Sequence, residues 1–170
     1  MRSLATIGYE GASSEDFDDA LRRAKIELLV DVRAVAVSRK RGFSKTALSA
    51  RLGTAGVQYV HLRELGDPKP GREAARAGNL PMFRAIFSAH LETAAAREAL
   101  GALRQLAATH RVALLCFEAD AASCHRAIVA SRIAKLENLS IVHLRVEPGQ
   151  AVGSDGARTD DHPREGLAAA

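Results

Sequence analysis

At 170 residues with 47% hydrophobic content, the chain has the length and composition of a globular domain with its own core rather than of a disordered segment. Aromatic residues make up only 4% and tryptophan is absent, which favours aliphatic helix and strand faces over a β-sandwich. The net charge of +4 is mild, no apolar run approaches the roughly 18 to 20 residues of a membrane span, and two cysteines make no disulfide framework, so a cytoplasmic protein with free thiols is expected.

The opening run SLATIGY reads as a first strand, followed by a helix that Ser14 can cap and whose Phe17, Ala20, Leu21 and Ala24 share one face. IELLVDVRA, residues 26–34, is a nearly continuous apolar run ending in charge, as in a parallel strand covered on both faces. Residues 35–43 form a basic loop. Ser44 then caps a short helix with Leu48 and Leu52, which Gly53 and Gly56 end. VQYVHL, residues 57–62, is a third strand.

The segment from Glu64 to Asn79 combines prolines, glycines and mixed charge, and is expected to be a long loop serving as a lid or binding loop. Pro81 suits the first turn of a helix burying Met82, Phe83, Ile86, Phe87 and Leu91, continued by a face of Ala96, Leu100, Leu103 and Ala107. RVALLCFE is a fourth strand, residues 123–137 a helix with Val129, Ile133 and Leu136 inward, and SIVHLRV a fifth strand. Residues 1–146 thus make one α/β domain, and 147–170 read as a disordered tail. Alternating strands and helices predict a three-layer α/β/α Rossmann-like sandwich with a mainly parallel sheet of about five strands.

Ligands of such sheets bind beyond the carboxyl ends of the strands. That edge gathers Tyr9 and Glu10, Asp31 and Arg33, His61, and Cys116, Glu118 and Cys124 to Arg126. No acidic residue lies between Asp31 and Glu64, whereas Arg33, Arg39, Lys40, Arg41, Lys45, Arg51 and Arg63 do, so the stretch is either a solvated face or a surface for an anionic ligand or a nucleic-acid backbone.

Cys124, at a helix start beside His125 and Arg126, is placed to be a thiolate of lowered pKa, or else a small residue packed under the sheet edge. His125, one residue on and about 100° around the helix, is placed to orient a loop rather than to serve Cys124 as a base. Glu10, Asp31 and Glu118 are candidates for acid–base work or for gripping ribose or amino groups, with ion pairing of Asp31 and Glu118 to Arg33 and Arg126 as the alternative. His61 either meets the ligand or satisfies a loop carbonyl. Metal ligands are not expected, because Cys116, Cys124, His125 and a remote His61 lack the compact spacing of a zinc motif. GYEGASS lacks the dinucleotide fingerprint and no phosphate loop is present, so no cofactor is expected.

Four stretches in this order, TIGYEG at 6–11, LVDVRAVAVSRKRGFSK at 29–45, GVQYVHLRELG at 56–66 and LLCFEADAASCHR at 114–126, resemble the domain of unknown function 488 (DUF488) family of bacteria and archaea. The resemblance spans about residues 3–145 and places the family pattern on Gly8, Asp31, Arg33, Ser38, Arg39, Phe43, Leu65, Gly66, Cys116, Glu118, Cys124, His125 and Arg126. LGDPKP stands where the family has a tight glycine-rich turn. The resemblance implies a functional strand edge without naming a reaction.

Two functions follow as expectations. One is an enzyme, a hydrolase or transferase, acting on an anionic phosphate-bearing substrate such as a nucleotide or nucleic acid. Its catalytic candidates are Asp31, Glu118 and Cys124, and its binding candidates Tyr9, Glu10, Arg33, Ser38, Arg39, His61, His125 and Arg126. The other is a non-catalytic nucleic-acid module gripping phosphates with residues 38–51. No membrane partner is expected, and the sequence leaves the oligomeric state open.

Overall fold

The computed structural model describes residues 2–149, so the tail expected from 147 onward lies, from residue 150, outside the described residues. The strands are β1 Ser3–Gly8, β2 Leu28–Asp31, β3 Gln58–His61, β4 Val112–Cys116 and β5 Ser140–His143. The helices are α1 Ser14–Arg23, α2 Lys45–Thr54, α3 Lys69–Arg76, α4 Leu80–His90, α5 Ala94–Thr109 and α6 His125–Glu137. All strand pairs are parallel and the sheet order is β3-β2-β4-β1-β5. This is the three-layer Rossmann-like sandwich that the alternation of elements predicts. Among the described residues, no helix is long and apolar enough to cross a membrane.

The period-two alternation of strand side chains splits the core in two. Ala5, Ile7, Leu29, Ala113 and Leu115 face α1 and α2 through Phe17, Leu21, Leu48 and Leu52. Leu4, Leu28, Val30, Val112 and Leu114 face the other helical layer through Phe83, Phe87, Leu100, Leu103, Val129 and Ile133. Central strands β2 and β4 are buried along their whole length, which is why they read as continuous apolar runs.

Helix starts follow local chemistry. Ser13, one residue before the expected cap, accepts from the Asp16 amide at 3.0 Å, and Asn79 and Thr93 likewise cap α4 and α5. The segment 64–79 departs from expectation: it holds a 3₁₀ turn at Arg63–Leu65 and helix α3. Its prolines mark a helix start instead of breaking one, because Pro68 is the N-cap and Pro70 lies in the first turn, where no amide partner is needed. Leu65 and Ala74 anchor the segment in the core.

Two expected core residues are exposed, Met82 at 54% and Leu136 at 56%. Phe83, Phe87 and Leu91 take the buried stripe of α4 with Met82 about 100° away. On α6 the pairs Val129–Ala130 and Ile133–Ala134 form the stripe, leaving Leu136 outside it.

Candidate active site

The chain leaves β1 and β2 toward one helical layer and β4 toward the other, so the loops after these neighbouring strands part and open a crevice at their carboxyl ends. The crevice is a cavity of about 990 Å³, bordered by Tyr9, Arg33, the loop 34–40, Asp67, α3 and the end of β4.

Its frame is a buried ion pair. Asp31 accepts from the Arg33 amide at 3.0 Å and from its side chain at 2.6–3.1 Å. Tyr59 also donates to Asp31, at 2.6 Å. Arg33 spends further donors on the Tyr9 hydroxyl at 3.0 Å and the Phe43 carbonyl at 2.8 Å. Burial works against the guanidinium, but Asp31 outweighs it and holds Arg33 still more firmly charged, while burial and the bond to Asp31 push the Tyr59 hydroxyl up. Asp31 is fully buried in this pair and does not border the cavity. His61 Nε2 donates to the Arg33 carbonyl at 2.8 Å, in the loop-satisfying place weighed from sequence.

Phe43 stacks on Tyr9 with ring centres 4.5 Å apart and carries the basic loop above it. Ser44 ties to the Ser38 backbone on both sides, and the Ser38 hydroxyl accepts from the Lys40 amide at 3.1 Å. This folds the loop so that Ser38, Arg39 and Lys40 border the cavity. Arg51 turns the other way, bonded to Asp18, the Ser14 carbonyl at 3.0 Å and the Gly42 carbonyl at 3.2 Å.

Behind the crevice, the loop after β4 is bolted down. The amides of Tyr9 and Glu10 donate to the Phe117 carbonyl, and Glu10 accepts from the Ala119 amide at 2.9 Å. Glu10 therefore borders a separate cavity of about 580 Å³ rather than the main one. Arg126, which sequence reasoning turned toward an anion, is 1% exposed and donates to the Glu118 and Ala119 carbonyls and the Thr6 hydroxyl. It is an internal strut, because the loop doubles back over the start of α6 and presents carbonyls that need a donor. Glu118 meets Arg126 through its backbone, which leaves its side chain to the cavity.

That side chain belongs to a compact cluster. Glu118 Oε2 lies 3.1 Å from Cys116 Sγ, and His125 Nδ1 lies 3.6 Å from Cys116 Sγ and 4.0 Å from Cys124 Sγ. His125 Nε2 donates to the Val32 carbonyl at 2.7 Å, and Phe87 packs edge-on against its ring. Burial, with the neighbouring Cys116 thiol, pushes the Cys124 thiol well above the ordinary range, so the lowered pKa expected at a helix start is not found: Cys124 is the N-cap itself and is buried. Glu118 moves the opposite way. Burial raises it, but hydrogen bonds from the Cys124 and Cys116 thiols and its own loop outweigh that, and its carboxyl lies below the ordinary range.

Sequence reasoning missed Asp67, Arg72 and Arg76, all bordering the cavity. Asp67 is 5% exposed, its Oδ1 has no hydrogen-bond partner among the described residues, and desolvation pushes its carboxyl up to about 6. Gly71 makes room for it, since a Cβ there would lie 2.0 Å from Oδ1. The departure of this segment from the family turn, LGDPKP, was the signal available.

The family described as "Domain of unknown function DUF488" matches residues 13–133 of the 170-residue chain. No curated protein and no solved structure matches. The chain belongs to the DUF488 family.

Proposed function

We propose that this member of the DUF488 family is an enzyme of the hydrolase or transferase class that takes an anionic, phosphate-bearing substrate, a nucleotide or a stretch of nucleic acid, into the crevice. The observation that carries the reading is one cavity whose border holds Arg39, Lys40, Arg72 and Arg76 facing the carboxyl groups of Glu118 and of the buried Asp67, whose Oδ1 has no hydrogen-bond partner among the described residues. Asp67, with a pKa near neutrality, delivers or takes a proton, and Glu118 stays an ionised acceptor.

The four cations hold the phosphate, in place of Arg33 and Arg126, whose donors serve the frame. Val35, Val37, Leu80 and Phe117 give the same cavity an apolar wall for a base or other flat group. Tyr9 and Ser38 complete the border next to the basic loop.

The non-catalytic reading has less behind it, because Arg51 is committed to Asp18 and two carbonyls, leaving Arg39, Lys40, Arg41 and Lys45 of its basic set. Four duplex phosphates would give a log–log salt slope of about −3.6.

Calorimetric titration with inorganic phosphate, nucleoside mono-, di- and triphosphates and short oligonucleotides tests the proposal. Binding is expected for at least one phosphate ester, weakened about tenfold or more (about 1.4 kcal/mol) by Arg72→Ala and by Arg39→Ala. Equal affinity in parent and variants, or no binding at low salt, rejects it.

A further inference from the structure

We infer that Cys116, Cys124, His125 and Glu118 form a binding site for one divalent transition-metal ion of the zinc class. Spacing in the sequence argued against such a site because no compact motif joins these residues. The fold supplies what spacing lacks: the end of β4 and the start of α6 meet, and the loop between them brings Glu118 back over both.

The ligand geometry is that of a tetrahedral ion. Bonds of about 2.3 Å to sulfur and about 2.1 Å to nitrogen or oxygen, at tetrahedral angles, put neighbouring ligand atoms about 3.5 to 3.8 Å apart. The His125 Nδ1 distances to the two sulfurs are 3.6 and 4.0 Å, and the three donors all lie within 4.8 Å of one another. Glu118 Oε2, 3.1 Å from Cys116 Sγ, stands outside that compact trio and would have to swing toward the ion to serve as the fourth ligand.

The second observation is the hydrogen bond behind the ring. A backbone carbonyl only accepts, so His125 Nε2 carries the proton that it donates to Val32 at 2.7 Å, which leaves Nδ1 as the ring atom facing the two sulfurs and available to an ion in place of a proton. A metal-ligating histidine is oriented in this way, with its other nitrogen donating to a carbonyl or carboxylate. The edge-on contact of Phe87 holds the ring in that plane.

Charge points to the same conclusion. Two buried sulfurs beside an acidic carboxyl have one imidazole nitrogen to share, whereas a dication deprotonates both thiols and balances them. Thiolate and imidazole ligands select zinc-like ions over magnesium or calcium. Cys116, Glu118 and His125 also border the main cavity, so the ion would be reached from there. The site stands on ligand geometry and does not depend on the substrate being a phosphate ester.

The test uses the full chain, reduced, stripped with a strong chelator, and titrated with zinc and with cobalt(II). One equivalent is expected to bind, and cobalt is expected to give a thiolate charge-transfer band and intense tetrahedral visible bands. Cys116→Ser and Cys124→Ser should each weaken zinc binding at least a hundredfold, and Glu118→Gln about tenfold with the charge-transfer band kept. Circular dichroism reports whether each variant folds. On the parent, one equivalent of zinc should slow alkylation of both thiols at least tenfold, a readout that needs no variant. No charge-transfer band with both thiols free, an alkylation rate unchanged by zinc, or cobalt affinity and band intensity both undiminished in Cys124→Ser overturns the inference. So does a Cys116–Cys124 disulfide that forms in air and, once reduced, leaves no metal affinity. Phosphate-ester binding measured on the loaded and stripped samples keeps the two questions apart: metal bound without any anion affinity retires the proposed function and leaves the site standing.

Discussion

Substituting Asp67 with asparagine tests whether the crevice holds a carboxyl at a cost to stability. In the folded protein its pKa rises from 3.8 to about 6, with desolvation the largest cause. Two units at about 1.4 kcal/mol each amount to about 3 kcal/mol. The sign runs opposite to that of a paired carboxylate. Between about pH 4 and pH 6 the native state holds a proton that the unfolded chain has released, so stability falls as pH rises through that window and stays reduced above it. Asparagine cannot lose that proton. The stability of Asp67→Asn minus that of the parent should therefore be about 2.5 kcal/mol more favourable at pH 8 than at pH 4, where the unfolded aspartate is already about half ionised, whatever constant offset the amide introduces. Urea unfolding of metal-free protein at both pH values measures it, and the subtraction removes the histidines that do not face Asp67, leaving the coupling to His125 and His90 as part of the difference. A difference that stays within about 0.5 kcal/mol between the two pH values would show that Asp67 is ordinarily solvated, and its role as the acid would fall.

Arg126→Met keeps the stem of the side chain but leaves the Glu118 and Ala119 carbonyls without their donor, and should cost about 2 to 4 kcal/mol by denaturant unfolding. Arg76→Ala, on the exposed border of the cavity, should change stability by less than about 0.5 kcal/mol while weakening phosphate-ester binding in calorimetry. A Cβ on Gly8 would lie 1.8 Å from the Glu118 carbonyl, so Gly8→Ala should shift the β4 loop and lower the melting temperature by several degrees, together with metal affinity.

Much of the fold was legible because its signals are local. The runs LLVD and VALLC are apolar since both faces of β2 and β4 are covered, whereas the caps were only partly legible: Ser13 rather than Ser14 caps α1, and Asn79 and Thr93, which sequence reasoning passed over, cap α4 and α5. Helix α3 was hidden by residues that look like breakers, as Pro68 and Pro70 are harmless only at the positions they occupy. The strand edge bearing the site was legible, but the partners within it were not. Sheet order decides which loops are neighbours, and nothing local says that β4 inserts between β1 and β2. Arg126 looks solvated in a sequence and is buried only because the preceding loop turns its carbonyls inward. Cys116 gained its place beside His125 from the same loop.

The most direct test of the account is a crystal of the protein soaked with a nucleoside monophosphate at low salt. The account predicts phosphate density between the loop bearing Arg39 and Lys40 and the helix bearing Arg72 and Arg76, with the base against Val35, Val37 or Phe117 and the reacting end toward Glu118 and Asp67. Density confined to the cavity beside Glu10 and Arg145, or to the outer face near Lys45, would contradict it.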